Sequence, residues 1–349
     1  MISRKTPRRA ASPGGVSFRP APHSLGVSLP LIGVSHADEW SLPYLQRNGK
    51  ARGQSLTVLS SAARFFANKS LFYMLNVDLH CHSKASDGLL SADEVARRAA
   101  ANGVELLALT DHDNLDGLVA ARAVADEAGM QFVNGVEISI EWGGLQVHIL
   151  GLNFDADDQI LNAGLESIRS GRVSRAQRMS DELEKIGIPG CFDGAMRHAE
   201  NPHLISRAHF ARYLVEIGVC KDVRSVFESY IVPGRPGYVD HRWATLEESV
   251  NWIVGAGGIA AVAHPGRYKF SKAEMRGLLE DFKSLGGQAV EIISGSHSAE
   301  NVTVFSRYAR EYGFMASCGS DFHGPGESYV DLGKLAPLPA GLTPVWEAF

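Results

Sequence analysis

The sequence predicts an α/β fold in which parallel strands close, or nearly close, into a barrel that is broken once by an inserted helical segment. Three observations carry this. From Leu75 onward seven short apolar runs alternate with helical patterns, the signature of successive βα units. The alternation stops between about residues 155 and 238, where only helical patterns are found. Nearly every apolar run also ends on a metal-ligand type of residue, as expected when chemistry gathers at the C-terminal ends of barrel strands. An open doubly wound sheet is the alternative.

The first strand is expected over residues 76–81. Ser91 and Glu94 form a capping box that opens a helix continuing through residues 95–101, and Asn102-Gly103 ends it. The run 106–109 is the second strand, a helix from about Leu115 ends at Gly129, and strands follow over 132–138 and 147–152. In the interruption the best helical segments are 174–186 and 206–217. The alternation resumes with a helix over 246–254, a strand over 259–263, a helix over 271–285, a strand over 289–293, a helix near 298–312 and a last strand over 314–318. The barrel is thus assigned to residues 74–154 and 239–349, and 155–238 to an inserted helical subdomain.

A chain of 349 residues has room for one large barrel domain or two ordinary ones. A mean hydropathy of -0.07 and the lack of a long apolar run point to a soluble globular protein with no membrane span. The net charge of -5 conceals a division: residues 1–73 carry ten Lys or Arg against only Asp38 and Glu39, so the remainder is strongly acidic. An acidic body argues against duplex binding by counterion release, whereas acids gathered at one place can hold cations. Residues 1–73, with six of the fifteen prolines and no sustained period, are expected to be an unstructured extension. Their Arg-rich composition superficially matches a transit peptide, but Met74 directly precedes the first patterned strand, so the extension is expected to be functionless. Four scattered cysteines with no CxxC pair suggest a reducing, cytoplasmic setting without disulfides.

The ligand-type residues occur in a fixed order. His80 and His82 lie two apart on a strand and so point to one side, with Asp87 following in a Ser-Asp-Gly turn. The second strand ends in Thr110-Asp111-His112-Asp113, the third holds Glu137, the fourth His148, the fifth ends at His264-Pro265 and the seventh at Asp321-Phe322-His323. One such histidine is as readily a core residue as a ligand. Six of the thirteen histidines at strand ends, with three acids, would be costly to bury without bound cations.

These motifs resemble the PHP (polymerase and histidinol phosphatase) family of metal-dependent phosphoesterases, over about residues 75–335. The resemblance implies a distorted (β/α)7 barrel, in agreement with seven strands. By motif, it implies one metal held by His80, His82, Glu137 and Asp321, a second by Glu137, His148 and His264, and a third by Asp87, His112 and His323. Asp87 stands where other members carry His. Two or three divalent cations are therefore expected, Mn²⁺ first, with Fe²⁺ or Zn²⁺ compatible with the same ligands. Asp111 and Asp113 are expected to orient ligating imidazoles.

Ser206 opens a helix, which places Arg207 and neighbouring N–H groups where phosphate is favoured. An isolated arginine is ordinarily a solvated charge, but position beside a metal site reverses the odds. The segment Ser206-Arg207-Ala208-His209-Phe210 and the loop around Arg235 are most similar to the subgroup of 3',5'-nucleoside bisphosphate phosphatases that also act as 5'-to-3' exoribonucleases. The resemblance assigns substrate binding to Ser206, Arg207, His209 and Arg235, with His209 also a candidate general acid and Asp321 the proton acceptor for a hydroxide bridging two metals. The expected substrates are nucleoside 3',5'-bisphosphates and short RNA 5' ends, with no stable protein partner. A histidinol-phosphatase-like activity and a noncatalytic PHP module are the rivals. Arg169, Arg172, Arg175 and Arg178 form a helical stripe that either guides a polyanion or is a solvated face.

Overall fold

The computed structural model describes residues 75–349, so the expectation for residues 1–73 lies outside the described residues. Eight strands occur in chain order: β1 (Val77–Asp78), β2 (Leu106–Leu109), β3 (Gln131–Trp142), β4 (Leu145–Leu152), β5 (Ala244–Thr245), β6 (Ile259–Val262), β7 (Ala289–Ser294) and β8 (Met315–Gly319). Seven make a continuous path β1-β2-β3-β4-β6-β7-β8, and the two-residue β5 pairs with the far end of β3. The path nearly closes. Leu79 N–H donates to Cys318 O at 3.0 Å, His82 N–H to Phe322 O at 2.8 Å and Asp321 N–H to His80 O at 2.8 Å, which ties the chain after β8 to the chain after β1.

Helices cover the outside, so β2, β6 and β7 are buried along their whole lengths; β2 and β6 read as unbroken apolar runs, while β7 carries Glu291 and Ser294 among its apolar residues. Among these helices, α1 (Ala92–Ala101) begins at the predicted Ser91/Glu94 capping box and α2 (Leu118–Ala128) ends on Gly129 in the left-handed region. Later, α8 (Leu246–Gly255), α9 (Lys272–Ser284) and α10 (Ala299–Tyr312) each follow a capping box, and their apolar stripes face the sheet.

The expectation of seven parallel strands is corrected at one place: β4 runs antiparallel to both β3 and β6. The cause is local. β3 and β4 are joined by Gly143 and Gly144, both at positive φ (59° and 74°), a two-residue connection that makes a hairpin. A parallel crossover needs a dozen residues or more.

The interruption is helical. Its first helix, α3 (Gln159–Arg169), packs on the barrel through Leu161, Leu165 and Ile168, with Gly164 so close beneath Trp252 that a Cβ would lie 2.5 Å from the indole. A separate core starts with α4 (Arg172–Lys185) and continues through α5 (Cys191–Met196), α6 (Arg207–Glu216), α7 (Val223–Val226) and a π-turn over Phe227–Ile231, around Met179, Leu183, Phe210 and Leu214. All four cysteines are free, and among the described residues no helix is long and apolar enough to cross a membrane.

Candidate metal centre

The C-terminal ends of the parallel strands, together with the middle of β3 and the N-terminal half of the antiparallel β4, bring the nine predicted ligand residues to one mouth of the barrel. Strand alternation turns His80 and His82 inward while Cys81 turns away, its thiol donating to Ala108 O. His264 and Asp321 lie just past β6 and β8 with positive φ of 27° and 55°, a conformation unusual for residues with a Cβ that swings both side chains over the mouth. At the end of β8, Gly319 meets His80 so closely that a Cβ there would lie 2.1 Å from the histidine Cβ.

Glu137, fully buried on β3, is the hub. Its Oε1 lies 2.8 Å from His148 Nδ1, 2.8 Å from His264 Nε2 and 3.4 Å from His80 Nε2. Its Oε2 lies 3.0 Å from His112 Nδ1 and 3.3 Å from His82 Nε2. Asp321 Oδ1 faces the same space, 3.5 Å from His80 Nε2 and 3.3 Å from His82 Nε2. A neighbouring group gathers around Asp87, 3.5 Å from His323 Nε2 and 3.9 Å from both His112 Nε2 and His82 Nδ1. The potential donor atoms thus fall into four overlapping sets, each compact enough for one cation.

The donor chemistry fits divalent metal. His80 Nε2, both ring nitrogens of His82, His112 Nδ1, Asp87 Oδ1, Glu137 Oε2 and Asp321 Oδ1 are buried with no hydrogen-bond partner in the protein, a concentration that a cation would satisfy. Burial pushes His112 well down and His264 to about 4, with Arg267 adding to the latter, so both rings are neutral. Burial would raise Glu137, but the imidazoles of His148, His112 and His80 outweigh it and hold the carboxyl well below its usual range. At His80 burial is likewise outweighed, here by Glu137, Glu291 and Asp321, and the ring is pushed up. The pocket's field therefore favours positive charge.

The supporting shell departs from the sequence reading. Asp111 orients no imidazole. It accepts from Ser83 N–H at 2.7 Å, Ser83 Oγ at 2.6 Å and Ser86 Oγ at 2.6 Å, which fixes the loop that delivers Asp87. Asp113 accepts from Ser139 N–H at 2.7 Å and pairs with the buried Arg172. The carboxylate that does hold imidazoles is Glu291 on β7. It points inward, with Oε1 3.1 Å from His80 Nδ1 and Oε2 accepting from His264 N–H at 2.5 Å. Arg267 pairs with Asp321 Oδ2 at 2.5 Å. His297 accepts from Gly266 N–H at 3.0 Å and donates to Ile292 O at 2.9 Å, bracing the turn after His264.

Beside the mouth lies an arginine pocket. Arg172 and Arg175, expected on an open stripe, are buried, each 5.2 Å from the Trp243 ring, and Arg172 Nε and one Arg175 Nη have no partner in the protein. Burial, with Arg207 and Arg172 nearby, pushes Arg175 down to about 9, and burial with Arg267 and Arg172 brings Arg207 to about 10. Arg172 pairs with Asp113, but Arg175 and Arg207 add further positive charge beside it, a local surplus that suits an anion. Arg207 donates to Gln146 Oε1 at 2.9 Å, and Gln146 touches His148 Nε2 at 3.2 Å, joining pocket to hub. His241 is half-buried edge-on to Trp243.

The remaining predicted residues divide. Ser206 caps α6 and its Oγ donates to Asp87 Oδ2 at 3.2 Å. His209 is buried, its Nδ1 accepts from Ser206 N–H at 2.9 Å, and burial pushes it down to about 4, so it is a neutral ring whose other nitrogen carries the proton. Arg235 is exposed on its loop and makes no side-chain hydrogen bond or ion pair with the cluster. Arg212, not singled out from sequence, donates to Asp87 O at 2.6 Å and to Glu327 at 2.8 Å.

A family model described as the PHP domain matches residues 78–166. The chain is 53% identical over 273 residues to the 3',5'-nucleoside bisphosphate phosphatase of Chromobacterium violaceum, spanning 78% of this chain and 96% of that protein. It is 42% identical over 272 residues to the 5'-3' exoribonuclease of Haemophilus influenzae, spanning 78% of this chain and 98% of that protein. A solved structure described as an amidohydrolase from Chromobacterium violaceum, with bound sulfate and no metal, matches with a TM-score of 0.77 at 52% identity over 78% of this chain and 95% of that one. A metal-dependent phosphoesterase structure from Bifidobacterium adolescentis shares the fold, with a TM-score of 0.66 at 24% identity over 78% of this chain and 93% of that one. With relatives this similar along nearly their whole lengths, the chain belongs to the PHP family.

Proposed function

We propose that the protein is a metal-dependent phosphoesterase that removes the 3'-phosphate of nucleoside 3',5'-bisphosphates and, by the same geometry, releases 5'-mononucleotides stepwise from RNA 5' ends. The observation that carries this reading is the pairing of two anion stations: the ligand cluster around Glu137 and, joined to it through Gln146, the pocket of Arg172, Arg175 and Arg207. A substrate with two phosphates uses both. Histidinol phosphate offers one phosphate and a cationic amine, which the arginines would repel.

In the proposed assignment His80, His82, Glu137 and Asp321 hold one cation, Glu137, His148 and His264 a second, and Asp87, His112 and His323 a third. Mn²⁺ suits this mix of imidazole and carboxylate, as do Fe²⁺ and Zn²⁺. Bound cations lower the pKa of water and neutralise charge on phosphoryl oxygens. The arginines hold the 5'-phosphate and so fix the distance to the 3'-phosphorus. Asp321, kept ionised by Arg267 and His80 despite burial, is placed to take the proton from the attacking water. A new P–O bond to the water oxygen forms as the P–O3' bond breaks, and the departing O3' takes a proton. Neutral His209 can contribute a hydrogen bond from Nε2 rather than act as an imidazolium acid. The exposed Arg235 is assigned to the outer rim of the substrate site.

Purified protein loaded with Mn²⁺ should convert adenosine 3',5'-bisphosphate to AMP and phosphate, and should prefer it to histidinol phosphate in kcat/KM. Absence of that conversion, or a preference for histidinol phosphate, would overturn the reading. Metal analysis finding no bound metal after Mn²⁺ loading would favour a noncatalytic module.

A further inference from the structure

The arginines of the pocket are not all held in the same way. Arg172 pairs with the Asp113 carboxylate, which offsets its charge. Arg175 Nε donates to Val239 O at 2.8 Å, and Arg207 Nη2 donates to Gln146 Oε1 at 2.9 Å. Both of these acceptors are uncharged, so they orient a guanidinium and leave its charge for a ligand. For the Arg207 side chain, Gln146 Oε1 is the single hydrogen-bond acceptor among the described residues, and the Phe227 ring backs it, 5.6 Å from the guanidinium carbon.

Gln146 stands on the barrel, not on the insertion. It lies two residues before His148 on β4, so both side chains project from one face of the strand while Val147 between them is fully buried on the other. That stretch of backbone is fixed. Gln146 pairs with Glu141 and His148 with Ser139 on β3, Tyr268 Oη accepts from His148 N–H at 2.9 Å, and Ala263 N–H donates to His148 O at 3.1 Å. The direction of the amide follows from chemistry. A guanidinium can only donate, so Oε1 faces Arg207 and Nε2 faces the imidazole, 3.2 Å from His148 Nε2. His148 Nδ1 in turn lies 2.8 Å from Glu137 Oε1. One side chain thus sets how far Arg207 stands from the hub of the ligand cluster.

We propose that Gln146 is a specificity-determining residue: it holds Arg207 on a neutral amide at a fixed reach from His148, and so selects 3',5'-bisphosphates over nucleosides with a 3'-phosphate alone. It acts through Arg207 and is a positioning residue. This assignment rests on the reading under Proposed function. An amide suits the task better than a carboxylate, because glutamate would hold Arg207 equally well but would offset its charge and compete with the incoming phosphate.

The test is the ratio of kcat/KM for adenosine 3',5'-bisphosphate to that for adenosine 3'-monophosphate, using the full chain with Mn²⁺, together with calorimetric binding of AMP to chelator-treated protein. Gln146→Ala and the similarly shaped Gln146→Met should each lower the ratio about 3- to 10-fold, the effect of losing one net hydrogen bond, and should weaken AMP binding by a similar factor. Gln146→Glu should lower the ratio at least as much as Gln146→Ala, although it restores an acceptor. Added to Arg207→Ala, Gln146→Ala should change the ratio by less than about twofold, because the two residues act as a unit. Equal losses on both substrates, independent losses in the double variant, or an unmodified ratio in Gln146→Glu would each overturn the assignment. No phosphate release from the bisphosphate by the unmodified protein overturns the reading under Proposed function. The AMP titration, which needs neither metal nor turnover, then judges Gln146 separately, and an AMP affinity unchanged by Gln146→Ala overturns its positioning role.

Discussion

Replacing Glu291 by Gln should weaken metal binding without unfolding the barrel. One carboxylate fixes two proposed ligands from different strands: Oε1 sits 3.1 Å from His80 Nδ1 and Oε2 accepts from His264 N–H at 2.5 Å. Glutamine has the same shape and keeps an acceptor for the buried His264 N–H, but it loses the charge that favours the His80 tautomer with Nε2 free toward Glu137. Loss of such a supporting carboxylate typically lowers metal affinity about 10- to 100-fold, or roughly 1.4 to 2.7 kcal/mol. The assay is phosphate release from adenosine 3',5'-bisphosphate against Mn²⁺ concentration, with direct metal titration by calorimetry. The midpoint should move to higher Mn²⁺ by that factor while kcat at saturating metal recovers most of its value. Glu291→Ala should in addition lose about 1 to 3 kcal/mol of stability, because the His264 N–H is then buried without an acceptor. A Gln variant with an unshifted Mn²⁺ midpoint would refute the idea that Glu291 acts by aiming ligands.

Arg207→Ala should lower kcat/KM for the bisphosphate by about 2 kcal/mol, close to 30-fold, and should cost much less with a nucleoside 3'-monophosphate; equal losses on both would place Arg207 outside the 5'-phosphate site. Asp113→Ala leaves Arg172 buried without its carboxylate, and chemical denaturation should show a loss of about 3 to 5 kcal/mol, with an unchanged midpoint arguing against the pair as drawn. Chelator-treated protein given Mn²⁺ at a hundredfold excess over its Kd should gain about 2.7 kcal/mol per independent site and melt at a higher temperature. A melting temperature indifferent to Mn²⁺ would show that the cluster does not hold the ion.

Much of the barrel was visible in the sequence because strands buried under helices outside and in the packed barrel interior inside must be apolar throughout, as in β2 and β6, and because Ser91/Glu94 and Ser271/Glu274 announce helix starts. The reversal of β4 was missed because both β3 and β4 are rich in buried apolar residues whichever way they run; Gly143-Gly144 was the available signal. The candidate ligand residues were legible for a related reason. Polar side chains terminating apolar runs stand out, and their pattern owes little to how distant segments dock. Glu291 had a signal too: a lone carboxylate inside the run Ala289–Ser294, which burial alone would disfavour unless it had partners. Arg172 and Arg175 gave no such sign. Their spacing fits a solvated helix face equally well, and only the docking of α4 against Trp243 and Asp113 turns them inward.

This contrast explains how the site divides its work. The described body is acidic, so no general field draws in a phosphorylated ligand; positive charge has to be made locally. Barrel strand ends supply it with donors for cations, and those donors are locked by backbone register, by the close approach of Gly319 to His80 and by Glu291. The insertion supplies it with guanidiniums, Arg172 and Arg175 on the helix packed over Trp243 and Arg207 on α6. Substitutions in the insertion's own core around Phe210 and Leu214 should therefore move the arginines relative to the metal cluster and alter which spacing of two phosphates is accepted, while leaving metal affinity at the sites around Glu137 near its original value. Substitutions around Glu291 should do the reverse, because β7 touches the ligands and not the arginine pocket.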